Sequence, residues 1–505
     1  MENKYKSTGH VFLKNTLFIY FKSGFSQLVE ILIVVAIIRK LPVEEFGIYS
    51  FLIGTIGLLQ VFTTGGILTL IQRFIPEYTT KNLIPNAKQL VRNSFIISGP
   101  LLLFVLGLTF LLADPIGSMF QIQHFKVYFW FFAFYAFFYL FDGLNQCILS
   151  SMLFQKHLAI SYIIYSVIRA ALFCAVFYLN QVTIITVLMV ETAAYASLFM
   201  MNLTFVMRKF WFKYTEDRKK FSTEESQRLL RYALYSSFNE LGTTSMNISA
   251  GYYVVSIFLG PYYVGLYALG ERIRRILDAA LPMRKGYEVL RPMFFASLKD
   301  ANDDTINKVF NFLLKISLFF VIPVSFIMGA LGRQTINFVF SPKYLGAYWV
   351  LEILMVYIIW FSVFFVLNLV VQLKEKVEIL LYSNIFAIYN IIAGILVVKK
   401  WGIEGVALAS LSALVFQNIY IYWHIKKYIS LRIKFWGNWP IFINGLGAGL
   451  FVCILRNKIN SVLELFLISA AGFIIYLLLC RLNKSFDREE TDMINKNLKL
   501  PLWSF

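Results

Sequence analysis

The residues of this chain best placed to do chemistry are charged side chains set inside long apolar runs. Lys22, Glu30, Asp142, Arg169, Glu191, Glu240, Glu271, Arg272, Arg274, Arg275, Asp278, Lys315 and Glu352 all fall in such runs. An ionisable group in hydrocarbon is costly, so it pairs, faces water or serves a ligand. Spacing sorts several of them into stripes. Lys22, Ser26 and Glu30 recur every fourth residue, and Ser236, Glu240, Thr243, Thr244 and Asn247 share one helix face. Glu271, Arg272, Arg275 and Asp278 stand three and four apart, where they can pair along a helix. Arg169 and Arg272 each lie about ten to twelve residues from either end of their runs, near a bilayer midplane. A guanidinium there is expected to line a cavity, and its fixed donors suit a diphosphate or an acidic sugar. Arg169 and Arg272, with Lys22, Arg275 and Lys315 behind them, form the candidate substrate-binding set. Lys22 and Lys315 sit in the inner third of their runs, where snorkelling to headgroups fits as well as cavity lining. Asp142 and Glu352 fit a paired structural role. The carboxylates Glu30, Glu240 and Glu191 are the candidates for carrying a coupling proton or sodium ion.

Charges so placed need long apolar elements to carry them, and the composition supplies these. The 505 residues are 59% hydrophobic and 15% charged, with a mean hydropathy of +0.67. Soluble domains carry about 45–50% apolar and about 25% charged residues. A helix crosses the hydrocarbon core with roughly 20 apolar residues. Runs of that kind lie near 15–38, 46–68, 93–113, 127–150, 158–179, 183–206, 233–258, 262–283, 309–331, 347–372, 378–398, 403–424, 435–455 and 461–480. The chain therefore reads as an all-α polytopic membrane protein with about fourteen transmembrane helices.

The net charge of +19 suggests nucleic acid at first sight. The basic residues instead cluster in short segments between the runs, as topology signals. With the N-terminus inside, roughly 32 of the 47 Lys and Arg fall in inner segments and roughly 9 in outer loops. Both termini are accordingly expected in the cytoplasm and the chain in the cytoplasmic membrane, with the lipid bilayer as partner and no nucleic acid. Lys4, Lys6 and Lys14 precede a full-length run, so no cleavable signal peptide is expected. Cys147, Cys174, Cys453 and Cys480 are scattered in apolar stretches, and His10, His124, His157 and His424 show no metal-ligand spacing. No cofactor or metal is expected, and no phosphate-binding GxxxxGK[ST] loop is present.

An internal repeat organises the runs. Val34-Val35-Ala36-Ile37-Ile38 leads to Pro42 and then Phe46-Gly47-Ile48-Tyr49. Six helices later Val254-Val255-Ser256-Ile257-Phe258 leads to Pro261 and Val264-Gly265-Leu266-Tyr267. An even helix offset keeps the orientation, so the lobes should be related by a pseudo-two-fold axis along the membrane normal. The expected organisation is a six-helix lobe over 1–206, a basic cytoplasmic linker over 207–231, a second six-helix lobe over 232–426, and two further helices with a cytoplasmic tail over 427–505.

Leu41-Pro42 with Phe46-Gly47-Ile48-Tyr49, then Gln72-Arg73-Phe74-Ile75-Pro76-Glu77-Tyr78, resemble the polysaccharide-transporter (Wzx-type) flippases of the multidrug/oligosaccharidyl-lipid/polysaccharide (MOP) exporter superfamily. Val264-Gly265-Leu266-Tyr267-Ala268 with Arg272, Leu281-Pro282, Phe340-Ser341-Pro342-Lys343-Tyr344 with Ala347 and Leu351, and Gly402-Ile403-Glu404-Gly405-Val406-Ala407 are similar to that family's second half. The resemblance implies a two-lobed transporter moving polyprenyl-diphosphate-linked oligosaccharide, such as an O-antigen, capsule or exopolysaccharide repeat unit, by alternating access. It implies a cationic cavity, to which Arg169 and Arg272 are assigned, a suspected ion coupling, and other polysaccharide assembly proteins as partners. A MATE-type cation-coupled drug antiporter and a lipid II flippase share this fold and stay open as alternatives. A membrane-embedded glycosyltransferase or polymerase would need a sizeable outer loop with acid–base residues. The loops near 114–126 and 332–346 hold little beyond Asp114 and His124, so a transporter and not an enzyme is expected.

Overall fold

The computed structural model describes residues 24, 26–208, 222–245, 249–281, 298, 301–487 and 490–491. They are helical, with no strand among them. The helices are α1 (26–40), α2 (Val43–Thr63), α3 (Gly65–Thr80), α4 (Ile84–Leu111), α5 (Ala113–Met119), α6 (Phe125–Ser151), α7 (Gln155–Tyr178) and α8 (Ile184–Val206). Then follow α9 (Thr223–Ser245), α10 (Ser249–Leu259), α11 (Pro261–Ala280), α12 (Asp303–Gln334), α13 (Tyr348–Leu373), α14 (Val377–Ser383), α15 (Ile385–Ile425), α16 (Phe435–Leu455) and α17 (Val462–Leu482).

Ten of the described helical segments are long and apolar enough to cross a membrane, and the protein is a multi-pass membrane protein. The difference from about fourteen runs has local causes. Two runs, 378–398 and 403–424, are counted as one segment because their helices meet at Gly402, where the chain folds back so that Gln417 donates to Ser383 (3.1 Å) and Phe386 lies 5.9 Å from Tyr420. Gly402 holds φ 57° and ψ −145°, a backbone region essentially reserved for glycine. The run at 233–258 includes residues outside those described, so it is not counted. In α11, Glu271, Arg272, Arg274, Arg275 and Asp278 exceed what a simple apolar span carries. The first run lies partly outside the described residues.

The chain divides into two compact units, Met1–Ser249 with Gly260–Val264, and Ala250–Leu259 with Gly265–Phe505. In the first, α8 packs between α6 and α7, and α3 packs on α6 and α9. The α3–α9 contact is close: a Cβ on Gly66 would come within 2.1 Å of the Ala233 carbonyl oxygen. Along the same seam the Gly66 amide donates to Ser237 Oγ (3.1 Å), Phe74 meets Tyr232 edge-on (5.5 Å), and the Tyr78 hydroxyl donates to Glu225 (2.6 Å). The basic linker expected at 207–231 thus extends into a helix that belongs to the first unit from Thr223 onward.

In the second unit α12 is the central helix, packed on α13, α16 and α17. Asn302 caps it by accepting from the Thr305 amide (3.0 Å). One turn apart, Asn307 and Asn311 hold the connection to the last two helices. Asn307 accepts from the Arg432 amide (2.8 Å) and donates to the Ser430 carbonyl (2.7 Å). Asn311 accepts from the Lys434 amide (2.8 Å) and donates to the Arg432 carbonyl (2.8 Å). Two side-chain amides therefore satisfy an otherwise unpaired extended backbone. Tyr476 completes the seat of α17 by donating to the Phe319 carbonyl (2.9 Å). The outward faces stay apolar: Leu103, Phe104 and Leu111 on α4, and Leu463, Phe466 and Leu467 on α17, are all exposed. In water that surface would aggregate; in hydrocarbon it is the expected lipid face.

Candidate functional site

An ion-pair network occupies the interior of the first unit. Arg169 on α7 is 5% exposed and Glu191 on α8 is 2% exposed. The guanidinium grips Glu191 with two donors, Nε to Oε2 (2.9 Å) and Nη2 to Oε1 (2.5 Å). A third donor, Nη1, pairs with Glu30 of α1, whose side chain is 41% exposed. The Tyr49 hydroxyl of α2 adds a hydrogen bond to Glu191 (3.3 Å). Arg169 was expected to offer a cation to an anionic ligand; its donors are instead directed to two carboxylates. Two carboxylates against one guanidinium leave the group with one formal negative charge. A bidentate pair of this kind is strong in a low dielectric, and the remaining charge lies on the half-open side at Glu30.

Below this network Asp142 of α6 is fully buried and accepts from Asn202 Nδ2 (2.8 Å) and Gln146 Nε2 (2.6 Å). Ser161 donates to Asn202 (2.8 Å) and Tyr162 to Gln146 (2.8 Å). Amide and hydroxyl groups thus share the solvation of a carboxylate that water does not reach. Gln60, Thr64, Gln146, Tyr162 and Tyr195 face a cavity of about 180 Å³ beside it. Tyr135, Tyr165 and Tyr195 pack edge-on at 4.9–5.2 Å around the same region. The polar character of this cavity comes from neutral residues, which a search for charges in spans does not register.

The second unit carries a different set. On α11, Arg274 is 7% exposed and binds Glu271 through Nε to Oε2 (2.8 Å) and Nη2 to Oε1 (2.7 Å), with Asp278 at 3.7 Å. Arg275 lies 3.4 Å from Glu271 and donates to the Tyr252 hydroxyl (3.3 Å), while Arg272 is half-buried on the same helix. The pairing along α11 follows the three-and-four spacing, but the buried guanidinium is Arg274. Lys315 of α12 is 7% exposed and pairs with Glu490 of the C-terminal segment (2.6 Å). Its ammonium is thus held by a carboxylate of the described residues. One oxygen of Glu352 is buried against Gly332 with no hydrogen-bond partner among the described residues. Lys22 and the side chain of Glu240 lie outside the described residues. No group of three or more His, Cys, Asp or Glu among the described residues could hold a metal ion.

The repeat is visible in these contacts. Tyr49 reaches Glu191, the partner of Arg169. Its repeat counterpart Tyr267 is fully buried near Ser410, which donates to Asn390 (3.1 Å). At matching places one unit holds an ion pair and the other a neutral serine–asparagine pair.

The helical fold that carries this network is similar to that of solved membrane transporters. Over 96% of this chain and 99% of the other, the structure is similar to the lipid II flippase MurJ in its inward closed conformation, with a TM-score of 0.70 at 15% identity. It is also similar to the inward-facing conformation of a multidrug resistance MATE family transporter of the MOP superfamily, over 80% of this chain and 95% of that one, with a TM-score of 0.62 at 13% identity. Residues 12–295 match the family described as polysaccharide biosynthesis protein, and the chain belongs to that family. The uncharacterized membrane protein MJ1068 of Methanocaldococcus jannaschii is 26% identical over 289 residues, 54% of each chain. The chain thus matches about half the length of that curated relative. The two solved structures it is similar to are a flippase and a transporter.

Proposed function

We propose that the protein is a flippase that moves a polyprenyl-diphosphate-linked oligosaccharide across the cytoplasmic membrane by alternating access. The observation that supports this most is the extent of the likeness to a lipid II flippase. It covers 96% of the chain, whereas the likeness to the multidrug transporter covers 80%. The polysaccharide-biosynthesis family supports a glycan as the cargo. Arg272 and Arg275 remain the proposed contacts for the diphosphate and glycan, because they are more accessible than the buried Arg169, Arg274 and Lys315.

Transport is proposed to be coupled to a proton or sodium ion at Glu30 and Glu191. The group formed with Arg169 carries one surplus negative charge, and a single bound cation would neutralise it within the membrane. The inner-membrane location, the cytoplasmic termini and a place among other polysaccharide assembly proteins belong to the same proposal. The experiment is transport in proteoliposomes with a lipid-linked oligosaccharide inside and an impermeant glycan probe outside. Export of a cationic dye without glycan exposure would assign the protein to drug antiport instead.

A further inference from the structure

The seam between α3 and α9 borders a basic pocket that the transport site leaves unused. Arg73, Arg228 and Arg231 line a cavity of about 650 Å³ together with Phe74, Tyr232 and Glu224. Three guanidinium groups there face one carboxylate. Arg228 is already committed, to Glu77 at 3.2 Å and Glu225 at 3.6 Å, and lies over the Phe74 ring at 4.8 Å. Arg73 and Arg231 make no ion pair with any described carboxylate. The Arg73 guanidinium is packed over Tyr232 (5.0 Å) and lies 5.7 Å from the Phe74 centroid. A guanidinium held by its face leaves the N–H groups around its edge for an oxygen anion. Phosphate oxygens fit those donors in number and geometry.

The surroundings indicate what carries the phosphate. Leu230, Leu234 and Tyr235, on the same helix as Arg231, are 61%, 52% and 72% exposed. An open apolar face beside two unpaired arginines suits a headgroup with an attached hydrocarbon chain better than a soluble anion. Arg228 and Arg231 also belong in sequence to the basic stretch 207–231, which the charge bias assigns to the cytoplasmic side. We infer that Arg73 and Arg231 bind the phosphate or diphosphate of a lipid at the α3–α9 seam, where the carrier lipid docks before translocation. The docking role rests on the flippase reading; the phosphate site itself does not.

The test is lipid binding to the purified full-length protein, read by native mass spectrometry. The probes are undecaprenyl diphosphate without glycan and phosphatidylglycerol. Wild type is compared with Arg73→Gln/Arg231→Gln and with a control that removes the exposed charges Lys156 and Lys458 as glutamines. The expected result is at least a tenfold loss of undecaprenyl diphosphate binding in the arginine variant and none in the control. A selective loss assigns the site to the carrier diphosphate, and an equal loss of both lipids assigns it to membrane phospholipid. Unchanged binding, or an equal loss in the control, overturns the inference. Arg231→Gln alone, at an exposed side chain, replaces the double variant should that not fold. Wild-type protein that shows this arginine-dependent binding yet fails to expose glycan would overturn the transport reading and leave the site standing.

Discussion

Removing the charge of Glu191 is expected to be far more damaging than removing that of Glu30, although both changes leave the same net charge on the Arg169 group. In the Glu191→Gln variant a guanidinium that is 5% exposed loses both hydrogen bonds to a carboxylate that is 2% exposed. Breaking a buried pair from one side costs about 3–5 kcal/mol, and Glu30, being 41% exposed, compensates the buried guanidinium only in part. At about 1.4 kcal/mol per decade, that lowers the folded-to-unfolded ratio roughly a hundred- to several thousand-fold. Glu30 is 41% exposed, so water screens its partnership with Arg169. Its replacement by Gln should cost about 1 kcal/mol or less. Chemical denaturation of the detergent-solubilised protein, followed by intrinsic fluorescence, measures both. The paired replacement Arg169→Met/Glu191→Leu should recover most of the loss, since two apolar side chains of similar volume remove both charges together. Equal losses for the two single variants would refute the argument from burial. So would a Glu191→Gln variant within about 0.5 kcal/mol of wild type, the spread of ordinary surface changes.

Gly402→Ala should destabilise by about 1–3 kcal/mol in the same assay, because a side chain there meets the strained backbone inside α15. An unchanged denaturation midpoint would show that the bend relaxes freely. Gly66→Ala places a methyl group 2.1 Å from the Ala233 carbonyl oxygen and should separate α3 from α9 at a cost of about 1–3 kcal/mol. Faster hydrogen exchange over 223–236 would report it. Lys315→Met leaves Glu490 without its cation, and proteolysis of the C-terminal segment should accelerate while α12 stays protected. The hydrogen bond from Lys81, with Arg228 adding to it, holds the Glu77 carboxyl below its ordinary range. Its contribution to the seam is therefore present above the ordinary carboxylate pKa and is lost as pH falls through the depressed value. Exchange protection over 223–236 should drop only in acid below about pH 4, and the Glu77→Gln variant should show no such drop.

Much of the architecture is legible in the sequence because hydrocarbon thickness imposes run lengths that composition reports directly. The departures lie where local chemistry competes with that rule. Gly402 folds the chain back between two helices, and on α11 Glu271 and Asp278 offset the buried Arg274. Arg169 could be singled out as an intramembrane cation, and Glu30 and Glu191 as intramembrane acids, from position alone. That the three form one group depends on how α1, α7 and α8 pack, which helical spacing within one run does not contain. The weight placed on Arg272 and Arg275 passed over Arg274. Its signal was present in the spacing of Glu271, Arg274 and Asp278 at i, i+3 and i+7. Lys315 meets an acid 175 residues away, a pairing no local pattern announces. The boundary near 207–231 was drawn from composition, whereas α9 joins α3 through Gly66, whose small size matters only once its neighbour is known.

Glycan translocation is the claim on which the account turns. Proteoliposomes loaded with a polyprenyl-diphosphate oligosaccharide in the inner leaflet, and probed outside by an impermeant glycan-binding reagent, measure it directly. The account predicts protein-dependent exposure of the glycan that is lost in the Arg272→Ala variant, with membrane insertion intact. Exposure at the protein-free rate with every lipid-linked glycan offered, or wild-type exposure in the Arg272→Ala variant, would contradict it.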